Sequence, residues 1–232
     1  MVPIVTDALS PILLKKTKLY DKAVWQPKAM AFVVRSHRHL WGKNNEDPQA
    51  FLFTRGLKNQ FMKNLLLGWN KFGQERPIEN WGFKTDSQTG RKLFLPSGIV
   101  VPFIVEKQLQ SIFIHPYDEN KTQKTTIVPG SLSSTLVLGE KIKKIAIVQH
   151  LFDGLFLFQE TDGSYCVMVH PDPHLPLDHH LKSIIANAGS VCIFFNDNNN
   201  ITVNKMLFPD ISNHCFHTYH SKKELKKMLL MY

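Results

Sequence analysis

Short apolar runs separated by polar turns dominate the C-terminal half of the chain. Residues 144–148 form a run rich in β-branched side chains, which is typical of a strand buried on both faces of a parallel sheet. A short polar segment then leads into a second apolar run with helical character, at 151–159. This succession predicts a strand followed directly by a helix.

The same pattern recurs towards the C-terminus. Three further strands are predicted, at 165–170, 191–195 and 215–219. A helix is expected at 177–188, and Ser221 with Glu224 has the spacing of a capping box at the start of a final basic helix. Strands that alternate with helices predict an α/β fold, here a mostly parallel four-stranded sheet flanked by helices.

The N-terminal half begins with helical periodicity. Buried positions are expected at helical spacing between residues 25 and 41, with basic residues on the other side of the helix. The expected buried residues are Trp25, Ala29, Phe32, Val33, Ser36 and Leu40. Two shorter helices are predicted at 48–55 and 59–66.

Strand patterns follow these helices. Residues 73–90 are expected to be irregular, whereas 93–105 and 108–115 predict a β-hairpin that turns at the two residues between them. The N-terminal half is therefore expected to form a smaller α+β lobe. The predicted regions are a basic leader, this helical and β-hairpin lobe, and the α/β domain, at residues 1–24, 25–126 and 127–232.

Polar side chains follow the predicted strands at one edge of the sheet. Gln149 and His150 come directly after the 144–148 strand, and Asp153 follows within the next helical turn. The 191–195 strand is followed by Asn196, Asp197 and Asn198. Because open α/β sheets bind ligands outside the carboxyl ends of their strands, these residues mark a candidate site.

The arrangement of these polar residues resembles the Toprim pattern of bacterial and phage DNA primases and of type II and IA topoisomerases. Gln149 and Asp153 fall on the positions of its Glu-x-x-x-Asp motif, and residues 196–198 fall on its Asp-x-Asp motif. Upstream blocks resemble those of primase-like proteins from mobile elements. These blocks are Arg55–Leu57 (RGL), Leu67–Asn70 (LGWN), Leu93–Phe103 (an LP-x-G segment) and Val128–Ser131 (a Gly-Ser turn).

The resemblance implies a site whose chemistry has been lost. In Toprim enzymes the Glu is thought to act as a general acid or base, and the Asp-x-Asp carboxylates hold Mg²⁺. Gln149, Asn196 and Asn198 place amides at three of these four positions. An amide cannot act as a general acid or base near neutral pH, and Mg²⁺ prefers anionic oxygen ligands. The sequence therefore predicts a degenerate Toprim site without phosphoryl transfer and with no cofactor, unless Mg²⁺ still binds there.

Two other functions remain open at this stage. The protein could be an active metal-dependent primase or nuclease that uses Asp153, Asp197, His150 and His170, since imidazole suits softer ions such as Zn²⁺ or Mn²⁺. It could also be a scaffold for a protein partner, such as a replication or mobile-element protein, without affinity for nucleic acid. The histidines have an ordinary alternative too, as polar residues at strand ends.

The charge of the chain is concentrated at its two ends. Residues 1–43 carry eight Lys or Arg against two acidic residues, and residues 204–232 carry five against two, so the ends account for the whole net charge of +9. DNA or RNA is the natural partner of such surfaces, although a solvated helix face is an equally good interpretation. The candidate phosphate contacts are Lys15, Lys16, Lys18, Arg35, Arg38, Lys222, Lys223, Lys226 and Lys227.

Composition narrows the class of protein. No run of about 18 apolar residues exists, which argues against a membrane span, and the N-terminus lacks the pattern of a signal peptide. The three cysteines, Cys166, Cys192 and Cys215, lie in predicted strands at wide spacing, as expected for reduced, buried thiols in a cytoplasmic protein. The zinc-binding module that often precedes a primase core has no Cys-x-x-Cys counterpart in the sequence.

Overall fold

The chain divides into two compact units in a computed structural model. The first unit ends at Ser133 and the second begins at Ser134, later than the boundary after residue 126 expected from the sequence. Val128 and Leu132 belong to the buried core of the first unit, which explains the difference. The residues that the structure describes are 20–43, 45–84, 92–116, 125–139, 143–171, 177, 179–195, 214–219 and 221–229.

The first unit combines helices with antiparallel strands. Its elements are α1 (Lys22–Leu40), α2 (Glu46–Thr54), α3 (Asn59–Asn64), β1 (Gly68–Asn70), β2 (Gln74–Pro77), β3 (Lys92–Leu95), β4 (Gly98–Val105), β5 (Gln108–His115) and β6 (Thr126–Ile127). The main sheet has the order β1-β4-β5-β6, and β2 pairs with β3 separately. A 3-10 turn at Ile78–Trp81 follows β2.

Helix α1 confirms the predicted stripe. Its buried residues are Trp25, Ala29, Phe32, Val33, Ser36 and Leu40, the same six that the spacing predicts. The side chain of Asp21 caps the helix by accepting a hydrogen bond from the amide of Ala23 at 2.8 Å, which satisfies one of the unpaired amides of the first turn. A Cβ on Gly68 would lie 2.6 Å from the backbone carbon of Ser36, so this glycine allows β1 to approach α1 closely.

The predicted β-hairpin is present, but its first strand is shorter than expected. Strands β4 and β5 are antiparallel, with Val105 opposite Gln108. Glu106 and Lys107 have φ angles of 47° and 65°, as a two-residue turn matched to the twist of the strands requires. Residues 92–95 belong instead to β3, which pairs with β2 in the stretch expected to be irregular, because Pro96 and Ser97 interrupt the run before Gly98.

The second unit is an α/β domain, which confirms the predicted class. Its described elements are β7 (Leu136–Leu138), β8 (Lys144–Val148), α4 (Leu151–Glu160), β9 (Cys166–Val169), α5 (His179–Ala186), β10 (Ser190–Phe195), β11 (His214–Thr218) and α6 (Lys222–Leu229). Within the described residues the sheet order is β11-β10-β8-β9-β7. The four predicted strands run parallel, and a fifth, β7, pairs antiparallel with β9. Its three residues are too few to give a periodic signal.

Local sequence features explain how the helices of this unit begin and pack. A Cβ on Gly154 would lie 2.1 Å from Cγ2 of Val169 and 3.0 Å from Cγ2 of Val148, so this glycine lets α4 pack directly on β8 and β9. The hydroxyl of Ser221 accepts a hydrogen bond from the amide of Glu224 at 3.2 Å, which confirms the predicted cap of α6. None of the described helices is long and apolar enough to cross a bilayer.

Candidate functional site

The carboxyl edge of the parallel sheet brings several of the predicted polar residues together. Gln149 is half-buried after β8, and His150 is exposed at the N-cap of α4. The amide of His170, which follows β9, donates to the carbonyl of Val148 at 2.9 Å. Residues 196–198 follow β10 in sequence and lie outside the described residues. Gln149, His150 and His170 therefore share the edge that the sequence predicted.

A buried pair of side chains also lies at this edge. Asp153, in the first turn of α4, accepts a hydrogen bond from the hydroxyl of Tyr219, and the two oxygens are 2.5 Å apart. Both residues are buried. Burial, and then the charge and hydrogen bond of Asp153, raise the pKa of Tyr219 above its ordinary value. The phenol thus remains protonated as a donor to the carboxylate, and links the end of β11 to α4.

Sequence reasoning placed Asp153 in the site but missed Tyr219. The signal that could have found Tyr219 is its position at the end of a predicted strand, since parallel strands end at one edge. The direction of its side chain towards α4 depends on the order of the strands in the sheet, which the pattern of apolar residues does not specify.

The candidate metal ligands of this edge are engaged in separate interactions. His170 is buried, with Nδ1 2.9 Å from the hydroxyl of Thr135, whereas His150 is exposed. Among the described residues, the donor atoms of Asp153, His150 and His170 do not gather around one ion-sized position. Asp197, the fourth candidate, lies outside the described residues.

Two of the sequence blocks contact each other in the first unit. The side chain of Asn70, in the LGWN block, is buried and donates to the carbonyls of Leu95 and Pro96, in the LP-x-G block, at 3.2 and 2.7 Å. An amide donor is needed here because buried carbonyl oxygens require partners. Asn70 therefore ties β1 to the end of β3.

Asn70 also positions two cations. Its Oδ1 accepts a hydrogen bond from Nε2 of Gln74 at 2.9 Å, and Oε1 of Gln74 accepts from Arg35 at 3.2 Å and from Arg76 at 2.6 Å. Burial and, to a lesser degree, the neighbouring Arg76 lower the pKa of Arg35. The shared acceptor is neutral, so this contact holds two guanidinium groups together without cancelling their charge.

Two exposed aromatic rings belong to the same strand pair and the segment that precedes it. Phe72 is 66% exposed and Phe94 is 57% exposed, although large apolar side chains are usually covered. The Lys71 ammonium lies 5.4 Å from the centre of the Phe72 ring, and a Cβ on Gly73 would lie 3.2 Å from the Phe94 ring. We name this group of exposed residues in and around β2 and β3 the aromatic-basic patch. Its members are Arg35, Lys71, Phe72, Arg76 and Phe94. In the register of the strand pair Phe94 is opposite Glu75 and Arg76 is opposite Leu93, so the two side chains lie on different faces of the pair.

Of the patch residues, the sequence analysis identified only Arg35. Phe72 directly precedes the stretch expected to be irregular, Phe94 lies in the predicted 93–105 strand, and aromatic residues are more often part of a core. The alternation in β3, where Leu93 and Leu95 are buried and Phe94 is exposed, is the signal that could have marked Phe94.

The remaining predicted cations are distributed over both units. Arg38 is exposed in the last turn of α1, and Lys223 and Lys227 are exposed on α6. Lys226 forms an ion pair with Glu160 of α4, so it is engaged inside the second unit. The backbone of Lys222 lies in α6, but its side chain is outside the described part. Lys15, Lys16 and Lys18 are also outside the described residues.

The other two sequence blocks have structural roles. The guanidinium of Arg55 lies 3.4 Å from the centre of the Phe51 ring, and Gly56, with φ of 77°, ends α2 in the left-handed conformation that favours glycine. In the Gly-Ser turn, the carbonyl of Pro129 accepts a hydrogen bond from the indole of Trp25 at 3.0 Å. These blocks therefore stabilise the first unit rather than forming a site.

Comparisons with solved structures show a primase-type fold. The RNA polymerase domain of Mycobacterium tuberculosis primase DnaG matches with a TM-score of 0.64 and 9% identity, over 90% of this chain and 80% of that chain. A DnaG primase catalytic domain bound to ssDNA matches with a TM-score of 0.61 and 11% identity, over 90% and 77%. Aquifex aeolicus primase, with its zinc-binding and RNA polymerase domains, matches with a TM-score of 0.59 and 15% identity, over 88% and 58%.

Sequence comparisons add no closer relative. No protein-family profile and no curated protein sequence matches the chain. At identities of 9–15% the likeness to solved structures establishes the fold alone. The chain is therefore similar in architecture to the catalytic cores of bacterial primases, as the resemblance of its sequence blocks predicted.

Proposed function

We propose that this protein is a primase-like, nucleic-acid-binding protein whose Toprim-type site does not catalyse phosphoryl transfer. The observation that carries the proposal is the aromatic-basic patch on a fold similar to primase cores. DnaG primase domains have been solved in complex with single-stranded DNA and with double-stranded DNA. The resemblance of the sequence blocks to primases of mobile elements supports an accessory role in the replication of such an element.

The chemistry of the patch suits single-stranded nucleic acid. Exposed rings such as Phe72 and Phe94 can stack on unpaired bases, and each stacked base contributes about 1–3 kcal/mol to binding. Arg35, Lys71 and Arg76 can contact phosphates with little dependence on sequence. A duplex offers its phosphates but keeps its bases stacked internally, so we propose a preference for single strands.

The proposal that the Toprim-type site is catalytically inactive rests on the residues at the carboxyl edge of the parallel sheet. Gln149 follows β8, where the resemblance places a general acid or base, and its amide cannot act as either near neutral pH. Asp153 already accepts the hydroxyl of Tyr219, which favours a structural role for this carboxylate. Amides at 196 and 198 are poor ligands for Mg²⁺.

Binding of a labelled oligonucleotide tests the nucleic-acid proposal. The double variant Phe72→Ala/Phe94→Ala should weaken binding of single-stranded DNA or RNA by at least about tenfold, since about 1.4 kcal/mol corresponds to a factor of ten. Phe53→Ala is the matched control, because Phe53 is a 45% exposed phenylalanine of the same unit. Equal losses in both variants, or none in the patch variant, would exclude the patch as the binding surface.

The salt dependence of binding distinguishes the basic residues of the patch from its aromatic residues. Arg35→Gln/Arg76→Gln should reduce the slope of log affinity against log salt, by about 0.7 for each phosphate of a single strand that the variant no longer neutralises. The phenylalanine variant should leave this slope unchanged, because stacking releases no counterions. If the wild-type protein shows no affinity for any oligonucleotide at low salt, the proposal fails and a protein partner becomes the better explanation.

Assays for metal-dependent activity test the proposal that the Toprim-type site is inactive. The wild-type protein should show no primer synthesis or nuclease activity with Mg²⁺ or Mn²⁺. The variant Gln149→Glu/Asn196→Asp/Asn198→Asp, which places carboxylates at the family's positions, should gain Mg²⁺ affinity measurable by calorimetry. Metal-dependent turnover by the wild-type protein that disappears in Asp153→Asn would instead establish an active enzyme.

A further inference from the structure

Two thiols and an imidazole lie together on neighbouring strands of the second unit. Cys192 of β10 is directly opposite Cys215 of β11 in the parallel register, and Phe194 is opposite His217. The Sγ atoms of Cys192 and Cys215 and a ring nitrogen of His217 lie within 4.8 Å of one another. Within the described residues, this group alone brings three ligand-type side chains so close.

The backbone explains why these three side chains meet. Alternate residues of a strand point to the same face of the sheet, so Cys215 and His217 share a face, and the register places Cys192 beside Cys215 on that face. The ring of His217 stacks on the ring of Phe194, with centroids 5.5 Å apart. Phe194 is fully buried, so this contact restricts the orientation of the imidazole.

The spacing of the donor atoms suits a small, thiophilic cation. Zn²⁺ binds sulfur at about 2.3 Å and nitrogen at about 2.0–2.1 Å, which gives tetrahedral edges of roughly 3.5–3.8 Å. The separations of up to 4.8 Å need only a small movement of the side chains. Cys192 is buried, whereas Cys215 and His217 are half-buried.

We propose that Cys192, Cys215 and His217 form a binding site for Zn²⁺ or a similar thiophilic cation, with water as the fourth ligand. Binding replaces the proton of each thiol with a metal–sulfur bond and releases both protons to solvent, without any change of oxidation state. The site and the aromatic-basic patch belong to different units, and the existence of the site does not depend on the proposed nucleic-acid binding.

The cation would stabilise the edge of the sheet. Within the described residues, β11 is the outermost strand beside β10, and a metal held by both strands would join them more strongly than the strand pairing alone. Tyr219, which contacts Asp153, follows β11 two residues after His217. Metal binding would therefore hold the strand that carries Tyr219 and, through it, the residues at the carboxyl edge.

Cobalt titration of the full-length, reduced protein tests the site. Co²⁺ bound by thiolates gives a near-ultraviolet charge-transfer band, which sites made only of histidine do not produce. The band should reach saturation at one Co²⁺ per chain, disappear on addition of Zn²⁺, and weaken strongly in Cys215→Ser. The variant His217→Gln should keep a thiolate band but lower the affinity by at least about 100-fold, since loss of an outer-shell partner alone costs about 10–100-fold.

Cys166→Ala is the matched control. Cys166 is a buried cysteine of β9 in the same sheet and lies outside the group, so its removal should leave the band and the affinity unchanged. No band in the wild-type protein with excess Co²⁺, or an unchanged band in Cys215→Ser, would overturn the proposal.

A second measurement needs no variant and therefore does not depend on how a variant folds. Zn²⁺ should slow the alkylation of Cys215 by iodoacetamide at least about tenfold, as followed by peptide mass spectrometry, because a metal-bound thiolate is a poor nucleophile. Equal rates of alkylation with and without Zn²⁺ would contradict a metal bound at Cys215.

Discussion

The two units use a buried polar side chain in opposite ways. In the first unit the amide of Asn70 donates to two backbone carbonyls and orients Gln74, which in turn holds Arg35 and Arg76. In the second unit the carboxylate of Asp153 accepts the hydroxyl of Tyr219. The first arrangement supports exposed cations, whereas the second joins the end of β11 to α4 through a buried carboxylate.

Under the proposed function, this difference indicates which features of a primase-like sequence persist without catalysis. The blocks of the first unit bind to one another and to α1, so their loss would cost stability whether or not the protein has an activity. Under the proposed function, the amide of Gln149 replaces a carboxylate without loss of the sheet, because Gln149 follows β8 rather than packing within it. Measurements on each unit can test this contrast.

The largest effect is expected for Gly130→Ala in the first unit. Gly130 has φ of 89°, and a Cβ there would lie 2.1 Å from Nε1 of the fully buried Trp25. Strain and overpacking together should lower the free energy of unfolding by about 3–5 kcal/mol, as measured by chemical denaturation. Gly163→Ala is the control, with φ of 69° but open space around the position, and should cost only about 1–2 kcal/mol.

A reciprocal pair of substitutions should separate the two polar arrangements. Asn70→Asp places a carboxylate against the carbonyls of Leu95 and Pro96 and should cost about 3 kcal/mol. Asp153→Asn retains an oxygen that can accept the Tyr219 hydroxyl and should cost less than about 1 kcal/mol. Hydrogen exchange followed by peptide would assign each loss to its unit. Equal costs would show that the two buried side chains are equivalent.

Tyr219→Phe should have an intermediate, pH-dependent effect. Removing the hydroxyl leaves buried Asp153 without this donor and should lower stability by about 2 kcal/mol near neutral pH. The pKa of Tyr219 is raised above its ordinary 10.0, so its stabilising effect is complete below about pH 10 and is lost as the pH rises through the folded-state pKa. The difference between wild type and variant should therefore narrow in strongly alkaline solution, and a constant difference would contradict the pairing.

The smallest effect is expected for Lys226→Gln. Lys226 pairs with Glu160 at a partly exposed position, and such ion pairs typically contribute less than about 1 kcal/mol. The exposed Lys223→Gln should be close to neutral in thermal denaturation. If Lys226→Gln instead weakens oligonucleotide binding as much as Arg35→Gln, the nucleic acid must also contact the second unit.

Helical periodicity and turn chemistry account for the elements that were predicted correctly. The six buried residues of α1 repeat at the helical period, and the hairpin turns at Glu106 and Lys107, between two long apolar strands. Strand β2 and its pairing with β3 were missed because Pro77 and the polar residues of β2 give no alternation. The antiparallel strand β7 was missed because it has only three residues.

The sequence by itself determined the α/β class, the parallel strands and the amides that follow β8 and β10, because strand burial and residue identity are written directly in the order of the side chains. Only the tertiary structure decided which residues meet: Tyr219 with Asp153, Cys192 with Cys215 and His217, and Arg35 with Arg76. These contacts join residues far apart in the chain. Their formation depends on strand order, register and the close approach that Gly68 and Gly154 allow, none of which a local pattern specifies.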